Sequence, residues 1–172
     1  MAFTVETGSG VAGANSYIDV AAFKAYHAER GNDVTAIEGS TAIQRLLVKA
    51  TDYIEQQFGL RFMGSREFST QPLSFPRVGL YSRDGVLITG IPDRLKWAQA
   101  EYALQANSRE LFLTPPATTT GGQVLRLREV IGPIETEVEY AAGGATSVAQ
   151  EFPVADSWIK EYLTPGGGVI RG

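Results

Sequence analysis

The chain has 172 residues, a formal net charge of −4, 44% hydrophobic and 20% charged residues, and no cysteine. That composition describes one folded domain of ordinary size with a real core. Its acidity argues against a surface that draws nucleic acid by bulk charge, although a local basic patch is compatible with it, and the lack of cysteine removes disulfides, thiolate chemistry and cysteine-based zinc sites. No apolar run approaches the length that spans a bilayer, and the first residues lack the basic-then-apolar order of a signal peptide, so the expected setting is the cytoplasm.

Phe3, Thr4 and Val5 are strand-prone and lead into Gly8-Ser9-Gly10-Val11-Ala12-Gly13, which matches the dinucleotide fingerprint G-x-G-x-x-G. The fingerprint works only where the glycines open a helix inside a β-α-β unit with an acidic residue about 20 positions on. Here Asn15 and Ser16 follow at once and no buried strand comes after. The stretch therefore reads as a glycine-rich loop on which the N-terminal arm turns.

Asp19 is placed to cap a helix that runs to about Arg30, with Val20, Phe23, Tyr26 and His27 as its inner stripe and Gly31-Asn32 as its stop. His27 is the only histidine, with no cysteine or second histidine to share chemistry or a metal. It reads as a packed or half-exposed helical histidine. A polar connection then leads to the longest helical pattern, residues 41–58, in which Ile43, Leu46, Leu47, Ala50, Tyr53, Ile54 and Phe58 recur at three- and four-residue spacing. Thr41 with Gln44 has capping-box spacing, and Gly59 is placed to close the helix in the left-handed conformation.

Residues 60–90 lose all regular period and are dense in Gly, Pro, Ser and Arg. Leu73-Ser74-Phe75-Pro76-Arg77 is their most distinctive piece, with Phe75 expected to plug a gap between helices, and Asp84-Gly85 marks a turn. Pro92 and Asp93 begin a third helix expected to reach about Leu113, before Pro115-Pro116. Its small residues Ala98, Ala100, Ala103 and Ala106 allow close approach to the central helix, leaving Trp97 and Leu104 for a further element or another subunit.

Beyond the 118–122 linker the period becomes alternating, and residues 124–130 and 134–140 read as a β-hairpin about Gly132-Pro133. The expected register of that hairpin sets Arg128 opposite Glu135 and Arg126 opposite Glu137. Glu135, Glu137 and Glu139 make an acidic row that reads as a solvated strand face rather than a metal site. A lone hairpin is marginal in water, so this one is expected to pack on the helices or on another copy. After a small-residue linker, residues 152–163 form a short amphipathic helix with Pro153 near its first position. The end, Val169-Ile170-Arg171-Gly172, reads either as a plug for a partner groove or as simple disorder.

The expected architecture is mainly α with a β-hairpin. Three core helices and the hairpin (123–140) occupy residues 1–141, and a linker, short helix and docking tail occupy 142–172. No catalytic constellation, cofactor site or metal site stands out, so the chain is expected not to be an enzyme.

Several pieces taken in order carry a resemblance. They are the opening Thr4-Val5-Glu6-Thr7-Gly8-Ser9-Gly10 with Gly13-Ala14-Asn15-Ser16-Tyr17, then Ala25-Tyr26-His27-Ala28-Glu29-Arg30-Gly31, Ala50-Thr51-Asp52-Tyr53-Ile54, the Leu73–Arg77 segment, and the run from Val130 through Gly132-Pro133-Ile134 to Tyr140. Together they resemble the head-tail connector (adaptor, or head-completion) proteins of tailed bacteriophages, some of which carry the label "DnaT-like single-stranded-DNA-binding protein". The resemblance implies a structural protein of the virion neck, assembled in the host cytoplasm as a dodecameric ring beneath the portal. One side would meet the portal and the other the next neck or tail-completion protein, with a channel through which DNA passes without specific binding and no role for a membrane.

On that expectation Trp158, Ile159, Tyr162, Leu163, Val169, Ile170 and Arg171 dock onto the portal, and Arg126, Arg128, Glu135, Glu137 and Glu139 of the hairpin face the channel or the neighbouring subunit. The alternative is a single-stranded-DNA-binding module. It would need a basic groove interleaved with aromatics, and the nearest candidate is Arg61, Phe62, Arg66, Phe68, Phe75, Arg77, Tyr81 and Arg83.

Overall fold

The computed structural model describes residues 2–112, 124–130, 135–140 and 152–164, with 124–130 and 135–140 as backbone alone. Among the described residues the protein is mainly α-helical, with α1 (Val20–Glu29), α2 (Ser40–Phe58), α3 (Asp93–Ser108) and α4 (Pro153–Ile159), the last continued by a 3-10 turn, Lys160–Tyr162. Three two-stranded antiparallel ladders accompany them: β1 (Ser65–Arg66) with β2 (Arg77–Val78), β3 (Leu80–Tyr81) with β4 (Leu87–Ile88), and β5 (Val124–Val130) with β6 (Glu135–Tyr140). The contacts divide the chain into one unit of Met1–Leu111 with Glu151–Gly172 and a second of Phe112–Gln150. This differs from the expected boundary at 141, because α4 belongs with the helices that precede the hairpin.

The apolar stripe of α2 becomes the core. Ile43, Leu47, Ala50 and Ile54 are fully buried, Leu46 and Tyr53 nearly so, and Thr51 joins them. The helix starts differently from expectation. Ser40 is already helical and Gly39, at φ +82°, takes the cap position, where no side chain caps the first turn; the Thr41–Gln44 box does not form. Gly39 reaches a backbone angle that a capping Ser or Thr would avoid, so the polypeptide enters α2 through conformation rather than through a side-chain bond. At the other end Gly59 stays right-handed (φ −52°), and a Cβ there would lie 3.2 Å from Ser74 Oγ, so its smallness matters and its handedness does not.

Asp19 caps α1 as its position predicts, accepting from the Ala22 N–H at 2.7 Å. The third helix ends at Ser108, five residues short of expectation, where Arg109 turns extended. α3 packs against both α2 and α4. Ala98, Ala100 and Ala103 are fully buried, as close approach requires, and Trp97 meets Trp158 of α4 with ring centroids 4.9 Å apart. The third element that Trp97 was left for is thus α4.

One polar side chain sits among these apolar ones. Gln99 on α3 is completely buried and uses its whole amide: Oε1 accepts from the Tyr17 N–H at 3.0 Å, while the two N–H bonds of Nε2 are shared among Ser16 Oγ (2.7 Å), Thr51 Oγ1 (2.8 Å) and the Leu47 carbonyl (3.1 Å). A buried amide left unpaired costs about 1–3 kcal/mol, so these bonds fix where the N-terminal segment crosses α2 and α3. The α4 segment is stitched down as well. Phe62 bridges Leu163, Met63 N–H donates to the Tyr162 carbonyl at 2.9 Å, and Thr164 N–H donates to the Arg61 carbonyl at 2.7 Å.

In β5–β6 the register pairs Arg126 with Glu139, Arg128 with Glu137 and Val130 with Glu135, with an irregularity between Val124 and Arg126. Each partner lies two residues from the expected one. Because side chains alternate with period two, that slip leaves the same residues sharing a face, so arginines still stand opposite glutamates in the ladder.

Leu47→Ala should cost about 2–5 kcal/mol, because a fully buried leucine leaves a cavity when truncated. Urea unfolding reads this as a lower midpoint at unchanged slope. A loss below ~0.5 kcal/mol would place Leu47 on the surface.

Candidate functional site

The 59–92 excursion holds its shape with only two-residue strands because two of its side chains, Arg77 and Gln71, serve its backbone. Arg77, 8% exposed, spreads its guanidinium over four carbonyls: Nε donates to Met63 O (2.8 Å), Nη1 to Ser74 O (3.1 Å), and Nη2 to Phe62 O (3.1 Å) and Gly64 O (2.8 Å). Burial, with the nearby Arg66 charge, lowers its pKa, but a guanidinium remains charged. Gln71 is buried beside it, accepting from the Phe68 N–H and donating to the Leu73 and Pro76 carbonyls. Phe75 is fully buried and meets the rings of Tyr17, Phe62 and Tyr162, so it plugs the core as its place before Pro76 suggests. Glu55 of α2 ties the excursion to the N-terminal segment: one carboxylate oxygen takes the Tyr17 hydroxyl and the other takes Ser74 Oγ at 2.6 Å. Burial and the Glu55 charge push the Tyr17 phenol well above its usual pKa, so it donates at any physiological pH.

This geometry divides the arginine and aromatic set. Phe62, Phe75 and Arg77 are internal. Arg61, Arg66, Phe68, Tyr81 and Arg83 are exposed, with Phe68 at 37% and Tyr81 at 54%. Beside them Leu60 is fully exposed, and Val78, Val86 and Leu87 are about half exposed. Six of the eight exposed large apolar side chains among the described residues thus lie on this one excursion.

The glycine-rich loop is an anion cradle that is already filled. Glu6, 2% exposed, accepts from the backbone N–H groups of Gly8 (2.9 Å), Ser9 (3.0 Å) and Gly10 (3.0 Å) through Oε1 and of Val11 (2.8 Å) through Oε2. Successive N–H groups converging on one point form the kind of nest that elsewhere holds phosphate. Here the chain supplies the anion itself. Gly10 at φ +70° makes this possible, and a Cβ on it would lie 2.6 Å from Phe68 Cδ2. The resemblance to a nucleotide fingerprint is therefore one of letters alone.

His27 is fully buried against Phe23 and Tyr26. Its Nε2 lies 3.1 Å from the Ala100 carbonyl, which only accepts, and its Nδ1 lies 3.1 Å from the Asn32 amide nitrogen, which only donates. That pair of partners requires the neutral imidazole with its proton on Nε2. Burial lowers the His27 pKa accordingly.

The residues expected to dock on a portal fall in two places. Ile159 and Tyr162 are buried in the chain's own core, and Trp158 and Leu163 are half-buried against it, so the C-terminal helix has spent its apolar face internally. Val169, Ile170 and Arg171 lie outside the described residues. Arg126, Arg128, Glu135, Glu137 and Glu139 lie on the β5–β6 ladder with the register given above. Among the described residues no cluster of three or more His, Asp or Glu could hold a metal, and no helix is long and apolar enough to cross a membrane.

A family model described as "Putative DnaT-like ssDNA binding protein" matches residues 1–171. The chain belongs to this family. No curated protein and no solved structure matches it. The match runs through the N-terminal loop, the helices, the excursion and the hairpin together, so membership concerns the whole chain and not one motif.

Glu6→Ala should lower stability by about 1.5–3 kcal/mol, the worth of hydrogen bonds to a charged acceptor, and should release the amides of residues 8–11 to hydrogen exchange. A nucleotide that raises the melting point of the unaltered protein would show instead that the cradle opens. For His27 the sign follows from its lowered folded-state pKa. The unfolded imidazole, near 6.5, binds protons before the folded one does, so stability is full above that pH and falls as pH drops through it. Urea midpoints should decline between pH 7 and pH 5 in the unaltered protein and less steeply in His27→Gln; parallel profiles would remove the assignment.

Proposed function

We propose that this protein is a structural head-tail connector of a tailed bacteriophage, which acts by mating surfaces and catalyses nothing. It would assemble as a ring beneath the portal, join the DNA-filled head to the neck or tail, and leave a channel for DNA. The observation that supports this most is the exposed apolar group on the excursion, from Leu60 through Val78 and Tyr81 to Val86 and Leu87, held on a scaffold that Arg77 and Glu55 keep rigid. Exposed apolar surface on a pre-ordered frame suits protein partners. The order of the resembling segments along the chain supports the same reading.

Single-stranded-DNA binding is the second reading, and the family description favours it. Arg61, Arg66 and Arg83 with Phe68 and Tyr81 remain exposed and are the residue types that track a backbone and stack on bases. With Phe62, Phe75 and Arg77 turned inward, the surface offered to a strand is smaller than the sequence suggests.

One experiment separates the two. Native mass spectrometry of the purified protein, alone and with the portal protein, is combined with titration of a fluorescent oligothymidylate at low and high salt. The connector reading expects a closed ring, alone or on the portal, and no measurable oligonucleotide affinity. A protomer that never joins the portal, yet binds the oligonucleotide at micromolar concentration with steep salt dependence and loses that binding in Phe68→Ala with Tyr81→Ala, would overturn it in favour of the second.

A further inference from the structure

The β3–β4 hairpin is built to be seen from one side. Leu80 and Ile88 are opposite each other in register and turn inward, Leu80 buried and Ile88 half-buried. Tyr81 and Leu87 form the next pair, and both are about half exposed, at 54% and 51%. Opposed residues of an antiparallel ladder share a face, so the tyrosine and leucine make one apolar surface. The turn itself is tight: Ser82 N–H donates to Val86 O at 2.8 Å, Gly85 N–H donates to Ser82 O at 3.0 Å, and Gly85 takes φ +77°. This lifts Arg83 and Asp84 to the tip, both exposed, and neither joins any of the ion pairs among the described residues.

We propose that this hairpin is a docking surface for a second copy of the same chain, the two hairpins packing face to face about a two-fold axis that runs along their length. Such an axis lays Tyr81 and Leu87 of one copy on those of the other and brings the two tips together. Each tip carries adjacent charges of opposite sign, so Arg83 meets the Asp84 of its partner and Asp84 meets the partner's arginine. A tip with two like charges would repel its own copy; this one is self-complementary. Two half-exposed side chains and a charged tip cover well short of the ~800 Å² per partner of a stable complex, so the pair is weak and forms only at high protein concentration. A two-fold contact closes on itself and cannot generate a ring. The pair is therefore a form of the free protein, in which the apolar face is kept from water. It does not depend on the connector reading.

Sedimentation equilibrium over a wide concentration range tests this. The unaltered protein should show a monomer–dimer equilibrium. Leu87→Asp and Tyr81→Asp should each weaken it at least about tenfold while circular dichroism and the melting midpoint stay unchanged; if one variant misfolds, the other carries the test. Arg83→Asp alone and Asp84→Arg alone should weaken dimerisation about two- to fivefold, the range of an exposed charge pair, and the double exchange should restore it. A protein that is monomeric at all concentrations, dimers indifferent to both apolar variants, or a double exchange no better than the single ones would each overturn the proposal. Ring formation on the portal by a protein with no dimer would sink this inference and leave the connector reading standing. A dimer that ignores the portal would do the reverse.

Discussion

The buried amide of Gln99 is the constraint on which the rest of the structure depends. A glutamine in an apolar interior is destabilising unless every donor and acceptor is met, and here an α3 side chain finds its partners in two other parts of the chain: Ser16 and Tyr17 in the N-terminal segment, and Leu47 and Thr51 on α2. Apolar packing between α2 and α3 would tolerate small slides and rotations, because Ala98, Ala100 and Ala103 offer a smooth face. Four directional bonds do not. They set the relative position of both helices and bring residues 16–18 across them, and from there the Tyr17 hydroxyl reaches Glu55.

Glu55 passes that order on to the excursion. Its second oxygen holds Ser74, the neighbour of Phe75, whose ring is closed in by Tyr17, Phe62 and Tyr162. Arg77 then collects the carbonyls that this irregular backbone leaves without ladder partners. Buried carbonyls need donors, and a guanidinium supplies five in a fixed fork. The arginine is internal for that reason. Residues that read as a basic, aromatic groove in the sequence are in part the mortar of the segment, and only the remainder is free to meet a partner.

What the sequence disclosed follows the physics of periodicity. The α2 stripe from Ile43 to Ile54, the Asp19 cap and Phe75 as a plug were all legible, because apolar spacing, a capping side chain and an aromatic before proline each leave a local mark. Gln99 left none. A polar letter on a helix face reads as solvent-facing, and its partners lie 48 to 83 residues away in sequence. The Thr41–Gln44 box had the right letters, but Gly39 had already turned the chain, and capping needs the backbone one residue outside the helix to be extended. The observed ladder is centred on Gly132-Pro133, whereas the expected pairs Arg128–Glu135 and Arg126–Glu137 are centred one residue before it, so the two-residue difference lies in the expected register and not in the turn. The C-terminal helix is set apart with the tail in the sequence because a short amphipathic stretch after a small-residue linker looks tethered. Its backbone bonds to residues 61–63 join positions about a hundred residues apart and have no local signature.

Glu6 and the β3–β4 hairpin show the same rule from opposite sides. The loop from Gly8 to Val11 has the chemistry of an anion site, but its donors are spent on an internal carboxylate, so it stabilises the fold and has nothing left to bind with. The Tyr81–Leu87 pair has no motif at all, and its apolar area is unspent. Binding capacity is what remains after a fold has satisfied its own groups. By that measure the surface that still has free energy to offer is the outer face of the excursion, and the amide, carboxylate and guanidinium beneath it exist to keep that face in one shape.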